Sequence, residues 1–127
     1  MYRIVTNNSL CRDKYQELIP VDFLEGKGYR DVLLAVRDDI QKGGRLETHP
    51  MTGSLKPNQT PYKSIMVSDL PREQEEFYSQ EMTIENSILS CRKFLEIKQT
   101  PNWTEEIRKD FMIVDLSLIE GAIQKVL

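Results

Sequence analysis

Residues 21–44, which read VDFLEGKGYRDVLLAVRDDIQKGG, decide the fold class. Val21 to Leu24 is a short β-prone run, and the glycines at positions 26 and 28 close it. Apolar residues then recur at three- and four-residue steps, which predicts a helix with one buried face. That stripe consists of Tyr29, Val32, Leu33, Val36 and Ile40. Gly43-Gly44 ends the helix, because glycine tolerates the left-handed cap conformation. The stretch therefore predicts one strand followed by one amphipathic helix.

The segments on either side repeat this alternation. Strands are predicted at Arg3–Thr6 and Ser64–Val67, and a helix capped by Asn8 or Ser9 is predicted to end before Pro20. Further helices are predicted over roughly residues 80–97 and 102–108. The order implies a single α/β domain over residues 1–127, with a small parallel sheet of three or four strands, the strand at Ile4 being central. Helices would cover both faces, in a flavodoxin-like or Rossmann-like three-layer arrangement.

The C-terminal segment allows two interpretations. Phe111 to Val114 could be a fourth strand, with Ser117 and Glu120 beginning a last helix that runs to Leu127. The same segment also fits one unbroken helix, because its apolar residues recur at helical spacing. Those residues are Met112, Leu116, Ile119, Ile123 and Val126. We expect the strand followed by the helix.

Bulk composition excludes several function classes. The net charge is −3, which gives no overall basic surface for nucleic acid. The longest apolar runs fall far short of the ~20 residues that a membrane helix needs. The N-terminal residues show no signal peptide, and Cys11 and Cys91 are too few for a secreted disulfide scaffold. The chain is therefore predicted to be cytoplasmic, with no nucleic-acid or membrane partner.

The segment Arg45–Lys63, RLETHPMTGSLKPNQTPYK, is typical of a functional loop. It contains three of the six prolines and the only histidine, and loops longer than about 12–15 residues are uncommon unless they are functional or disordered. In a parallel sheet, ligands bind outside the carboxyl ends of the strands, and this loop would lie there. The predicted ligand-binding residues are Asn7, Asn8, His49, Ser54, Lys56, Asn58 and Ser68.

Two residues are candidates for catalysis. His49 could act as a general base, as a metal ligand or as a hydrogen-bond donor to an anion, or it could be a loop residue bonded to its neighbours. Cys11 begins the first helix beside Arg12, which favours a reactive thiolate, but it also lies on that helix's apolar stripe, which favours core packing. One histidine and two distant cysteines show no zinc-binding spacing, so neither a metal nor a cofactor is predicted.

Charge is unevenly distributed along the chain. Residues 42–63 hold four basic residues and one acidic residue, a local net charge of +3. Residues 69–85 hold six acidic residues and one basic residue, a local net charge of −5. The basic segment suits a carboxylate or phosphate ligand, and the acidic segment is a candidate contact for a basic partner protein. Both segments could also be ordinary solvated surface.

Several short motifs in the first half of the chain resemble the GrdX family. They are Thr6-Asn7-Asn8, Tyr29-Arg30-Asp31-Val32-Leu33, Thr48-His49-Pro50, Gly53-Ser54, Lys56-Pro57-Asn58 and Thr60-Pro61-Tyr62-Lys63-Ser64. GrdX proteins are small proteins encoded beside the glycine, sarcosine and betaine reductase genes of anaerobic bacteria that ferment amino acids. The resemblance implies that genomic setting and a cytoplasmic location, and it supplies no catalytic residues.

These observations favour a non-catalytic accessory or ligand-sensing protein. It would bind a small anionic ligand, or a protein of the reductase complex, at the carboxyl edge of the sheet under the 45–63 loop. The alternative is a small enzyme that uses His49 or Cys11 as acid/base or nucleophile. An enzyme should place one of these two residues within hydrogen-bond reach of a second polar side chain in a cleft.

Overall fold

A computed structural model describes residues 1–51 and 55–127. The strands are β1 (Tyr2–Thr6), β2 (Val21–Phe23), β3 (Arg45–Leu46) and β4 (Ser64–Ser68), and the helices are α1 (Ser9–Tyr15), α2 (Tyr29–Gln41), α3 (Gln74–Ile97) and α4 (Glu105–Gln124). The strands form one open, mixed sheet in the order β2-β1-β4-β3. No helix within the described residues is long and apolar enough to cross a membrane.

Helices pack on both faces of the sheet, as the alternation of strand side chains dictates. On β1, Val5 packs with α2 and α3, whereas its neighbour Ile4 packs with α1 and α4. On β4, Ile65 and Val67 join the first cluster and Met66 joins the second. The two central strands therefore hold together two separate cores, one on each side, which confirms the predicted covering of both faces.

The prediction of a parallel sheet is wrong in its main part. β1 and β2 are parallel, with Ile4 beside Val21, and β1 is central as expected. β4 runs antiparallel to β1, so that Thr6 pairs with Ser64 and Tyr2 pairs with Ser68. The unpredicted strand β3 is antiparallel to the end of β4 and pairs with Val67 and Ser68.

The antiparallel direction of β4 is compatible with the length of the segment that joins β3 to β4. β3 lies beside the last residues of β4, so the chain must travel along the sheet before it can enter β4 at Ser64. At about 3.3 Å per extended residue, the intervening segment is long enough to do so. The polarity of β4 therefore depends on the path of a loop, which hydrophobic periodicity does not encode.

The C-terminal expectation is also wrong, and the alternative is correct. Residues 105–124 form the single helix α4, with no strand at Phe111–Val114. Ile119 and Ile123 are buried in the core cluster that includes Ile4 and Cys11, and Leu116 and Val126 pack against that cluster. The apolar residues of this segment therefore lie on one face of a single helix. Thr104, rather than Asn102, caps α4, because its hydroxyl accepts a hydrogen bond from Ile107 N at 3.2 Å.

Candidate functional site

Asn7 connects the end of β1 to the loop that precedes β4. Its side-chain amide donates to the carbonyl oxygens of Lys27 and Pro61, both at 2.8 Å. Its side-chain oxygen accepts a hydrogen bond from Lys63 N at 2.9 Å. The polar atoms of Asn7 are therefore occupied in fixing the backbone, and the residue positions Lys63 at the start of β4.

Asn8 has a similar structural role at the start of α1. Its side-chain oxygen accepts from Leu10 N at 3.0 Å, which makes it the N-cap that the sequence predicts. Its amide donates to Met112 O at 2.8 Å and to Asp115 Oδ2 at 2.9 Å. Asn8 thereby joins β1 and α1 to α4.

Asp115 is the centre of a buried polar cluster, formed by Thr6, Asn8, Ser64 and Asp115. Ser64 donates to its carboxylate twice, through its backbone N at 3.0 Å and its Oγ at 2.7 Å. The hydroxyls of Thr6 and Ser64 lie 2.6 Å apart. Burial raises the pKa of the Asp115 carboxyl, and the hydrogen bonds from Asn8 and Ser64, followed by the charge of Lys63, oppose that rise.

Lys63 lies at the edge of this cluster and is only 5% exposed. Within the described part of the chain its ammonium group has no hydrogen bond and no carboxylate within 4.0 Å, although buried charges are normally paired. Burial lowers the pKa of the ammonium group, and the Asp115 charge opposes the decrease. Lys63 is therefore a mostly buried lysine beside the Asp115 cluster.

A cavity of about 110 Å³ adjoins Lys63. Its walls come from the loop, from the start of β4 and from α4, and they consist of Thr48, His49, Lys63, Ser64, Asp115, Leu118 and Ile119. Lys63, Asp115 and Leu118 also line a second, smaller cavity on the Tyr29 side. We refer to the 110 Å³ space as the Lys63 cavity.

Of the predicted ligand-binding residues, His49 is the one in the wall of this cavity. Its ring is exposed, and Nδ1 lies 3.0 Å from Met51 N and 2.7 Å from Met51 O, so the ring makes a local turn with its own neighbours. Ser68 lies at the opposite end of β4, beside Tyr2, and its hydroxyl donates to Glu47 Oε1 at 2.6 Å. The predicted proximity of Ser68 to Asn7 and Asn8 is wrong, because β4 is antiparallel to β1. Ser54 lies outside the described residues.

Lys56 and Asn58 belong to a different surface. Asn58 Nδ2 donates to Phe94 O at 3.1 Å, and Lys56 Nζ lies 5.6 Å from the centroid of the Phe94 ring. Both residues line a groove of about 560 Å³ between the loop and the corner where α3 meets α4. The structure therefore divides the described residues of the predicted site among at least three places, which are the Lys63 cavity, this groove and the far end of β4.

Cys11 is fully buried, and burial raises the pKa of its thiol to about 11, although the hydroxyls of Ser64 and Thr6 oppose the rise. A thiol with that pKa is almost entirely protonated at neutral pH, and the thiolate is the nucleophilic form. In the described structure His49 bonds to the backbone of Met51. Neither residue has the geometry expected of a catalytic pair.

Asp115 is not among the site residues predicted from the sequence, and the sequence does not distinguish Lys63 from the other lysines of the loop. A signal for Asp115 was present, because it falls between Met112 and Ile119 on the inner face of α4. A carboxylate on a buried helical face indicates a polar partner inside the protein. Lys63 directly precedes a strand in which every residue is buried, which is also an unusual place for a lysine.

The fold and the polar cluster define a small α/β protein with an open mixed sheet and a buried lysine–aspartate site under a long loop. Residues 3–124 match the family described as "GrdX-like protein", and the chain belongs to that family. The match confirms the resemblance and extends it over α3 and α4, beyond the motifs in the first half of the chain. No curated protein and no solved structure matches the chain significantly.

Proposed function

We propose that this protein is a non-catalytic binding protein that holds a small anion, of the carboxylate or phosphate class, in the Lys63 cavity. The observation that carries the proposal is a lysine residue that is only 5% exposed and lines a cavity, with no hydrogen bond or ion pair to its side chain among the described residues. As an accessory or ligand-sensing protein of the cytoplasm, it would serve the reductase setting that the GrdX resemblance implies.

The ligand should be an anion because a mostly buried lysine lines the cavity and forms no ion pair with any described carboxylate. A buried charge is costly unless it is paired and hydrogen-bonded. The carboxylate of Asp115 already accepts three hydrogen bonds, from Asn8 and Ser64, and it forms no ion pair with Lys63 within 4.0 Å. An anion between Lys63 and the loop would satisfy the donors of the ammonium group.

The ligand should also be small. The volume of about 110 Å³ is large enough for an ion such as formate, acetate or phosphate. The wall supplies further polar atoms from Thr48 and His49, but the Thr48 hydroxyl already accepts a hydrogen bond from Met66 N at 3.0 Å. Lys63 is therefore the residue on which affinity should depend most.

The geometry gives the enzyme alternative less support. It requires His49 or Cys11 to work with a second polar side chain, and the buried thiol has a raised pKa. A binding site needs only the charge, the polar atoms and the partly open volume that the Lys63 cavity provides.

Thermal unfolding with added sodium formate, acetate or phosphate tests the proposal, with sodium chloride at equal ionic strength as the reference. A ligand that binds only the native state raises the melting temperature as its concentration rises. We expect at least one of these anions to do so in the parent protein and not in Lys63→Met. Lys56→Ala, which removes a lysine of the same loop outside the cavity, should behave like the parent.

Leu118→Trp provides a second variant, because the larger side chain would fill the cavity and leave Lys63 in place. It should also abolish the anion-specific shift. The proposal is wrong if all three anions act like chloride on the parent protein, or if Lys63→Met keeps the full shift.

A further inference from the structure

We propose that the groove between the loop and the α3–α4 corner is a docking site for a partner protein, and that its occupant is an acidic segment with an apolar anchor residue. We name it the aromatic groove, after Phe94, Trp103 and Phe111, which line it. It is separate from the Lys63 cavity, and the inference does not depend on the proposed anion binding.

Hydrogen bonds at the rim fix the aromatic walls. Trp103 Nε1 donates to Gln59 O at 2.7 Å, which ties the indole to the loop. The indole then packs against Phe111, with ring centroids 5.6 Å apart and planes at 43°. On the opposite wall, Asn58 Nδ2 holds the backbone of Phe94 at 3.1 Å. The groove is thus formed before any partner binds, which lowers the entropic cost of binding.

Apolar surface continues from the groove onto both helices. Ile97, at the end of α3, is 80% exposed and lines the groove. Along α4, Ile107 and Val114 are 38% and 39% exposed, and they flank Phe111 at helical spacing on the same face. Exposed apolar side chains that adjoin one another in this way are typical of protein interaction sites.

Charge indicates the nature of the occupant. The described residues that line the groove include two charged side chains, Lys56 and Lys98, and both are cationic. The rim of this groove is therefore locally cationic although the chain as a whole has a net charge of −3. A complementary segment would insert an aromatic or aliphatic side chain between Trp103 and Phe94 and place carboxylates near the two lysines.

Nucleic acid would also use lysines and aromatic rings, but it fits this surface less well. Proteins that bind single strands combine stacking with a cationic track along the backbone. Here the groove provides only two cations among its described lining residues, Lys56 and Lys98, and these do not form a continuous cationic track. An acidic protein segment needs only the two lysines and the apolar groove.

Peptide selection tests the inference. A displayed library of short random peptides is selected on the intact protein, and peptides that also bind Trp103→Ala are removed by counter-selection. We expect the enriched peptides to combine an aromatic or large aliphatic residue with adjacent aspartates or glutamates. A synthesised winner, measured by fluorescence anisotropy, should bind more weakly as ionic strength rises. It should also bind at least about tenfold more weakly to Lys56→Glu/Lys98→Glu, a loss of about 1.4 kcal/mol.

Charge exchange provides the decisive measurement. A peptide with lysines in place of its acidic residues should regain affinity for Lys56→Glu/Lys98→Glu and lose it for the parent. Lys42→Glu/Lys125→Glu reverses two exposed lysines outside the groove and should bind the original peptide within about twofold of the parent. Circular dichroism establishes that each variant is folded.

Three results would overturn the inference. They are enrichment of peptides without acidic residues, equal affinity for the parent and for Lys56→Glu/Lys98→Glu, and preferential binding of a single-stranded oligonucleotide that displaces the peptide. Each leaves the anion titration of the Lys63 cavity unaffected, since that measurement depends on different residues.

Discussion

The buried polar cluster around Asp115 and the aromatic groove lie along the same loop and have opposite physical character. In the cluster, every contact among Thr6, Asn8, Ser64 and Asp115 is a short hydrogen bond between groups removed from water. In the groove, aromatic rings and lysines remain open to solvent. The first arrangement stabilises the fold and adjoins a cavity that Lys63 lines, whereas the second forms an open apolar surface. The difference predicts that substitutions in the cluster change stability and those in the groove change binding.

The largest expected effect is the loss of Asp115. Asp115→Ala should lower the free energy of unfolding by about 3–5 kcal/mol, because it strands the donors of Asn8 and Ser64 in a buried site. Urea denaturation measures the change. Asp110→Ala, which removes an exposed carboxylate from the same helix, should stay within about 0.5 kcal/mol of the parent. A loss below about 1 kcal/mol for Asp115→Ala would remove the distinction between the two regions.

Trp103→Ala should cost about 2 kcal/mol, since its indole is half-buried, packs on Phe111 and makes one hydrogen bond to Gln59 O. The protein should therefore remain folded while its groove changes. Tyr78→Ala, which removes an exposed aromatic side chain elsewhere on α3, is the matched control and should cost less than about 1 kcal/mol. Unfolding of Trp103→Ala at room temperature would mean that the groove is part of the core.

Lys63→Met should stabilise the ligand-free protein by roughly 1 kcal/mol, because an apolar side chain of similar length replaces a desolvated charge. A pH series gives a second signature. Burial lowers the pKa of Lys63 in the native state below its usual 10.5, so in that window the unfolded chain holds a proton that the native protein lacks. The stability of the parent relative to Lys63→Met should therefore rise as pH increases toward 10.5. If the stability of the parent relative to Lys63→Met instead falls as pH increases, the native protein stabilises the charged form of Lys63.

The smallest effect is expected at His49. His49→Ala removes an exposed ring that bonds only to the backbone of Met51 among the described residues, so the free energy of unfolding should change by less than about 0.5 kcal/mol. Chemical denaturation at neutral pH measures it. A loss above about 2 kcal/mol would place His49 in the buried cluster rather than at the mouth of the cavity.

The sequence predicted the local elements well where periodicity was clear. The stripe from Tyr29 to Ile40 became α2, and Asn8 became the cap of α1. The region after Phe111 misled us, because a short apolar run is compatible with either a strand or a buried helix face. In the structure this segment is one helix, and its residues Ile119 and Ile123 are buried in the cluster that includes Ile4 and Met66.

The candidate site was predicted in part. The sequence identified the loop and His49, but it grouped Lys56, Asn58 and Ser68 with them, and the structure places these three residues elsewhere. The grouping assumed parallel strands, whose carboxyl ends meet at one edge. Lys63 and Asp115 are 52 positions apart and are brought together only by the packing of α4 beside the start of β4.

The sequence by itself determined the family, the α/β class, the amphipathic helices and the loop, because each depends on residue types within a short window. Tertiary structure alone decided the direction of β4, the single helix at the C-terminus, and the separation of a buried lysine site from an open aromatic groove. These features depend on which distant segments exclude water from one another. The direction of a strand and the burial of a lysine depend on residues that lie far away in the sequence.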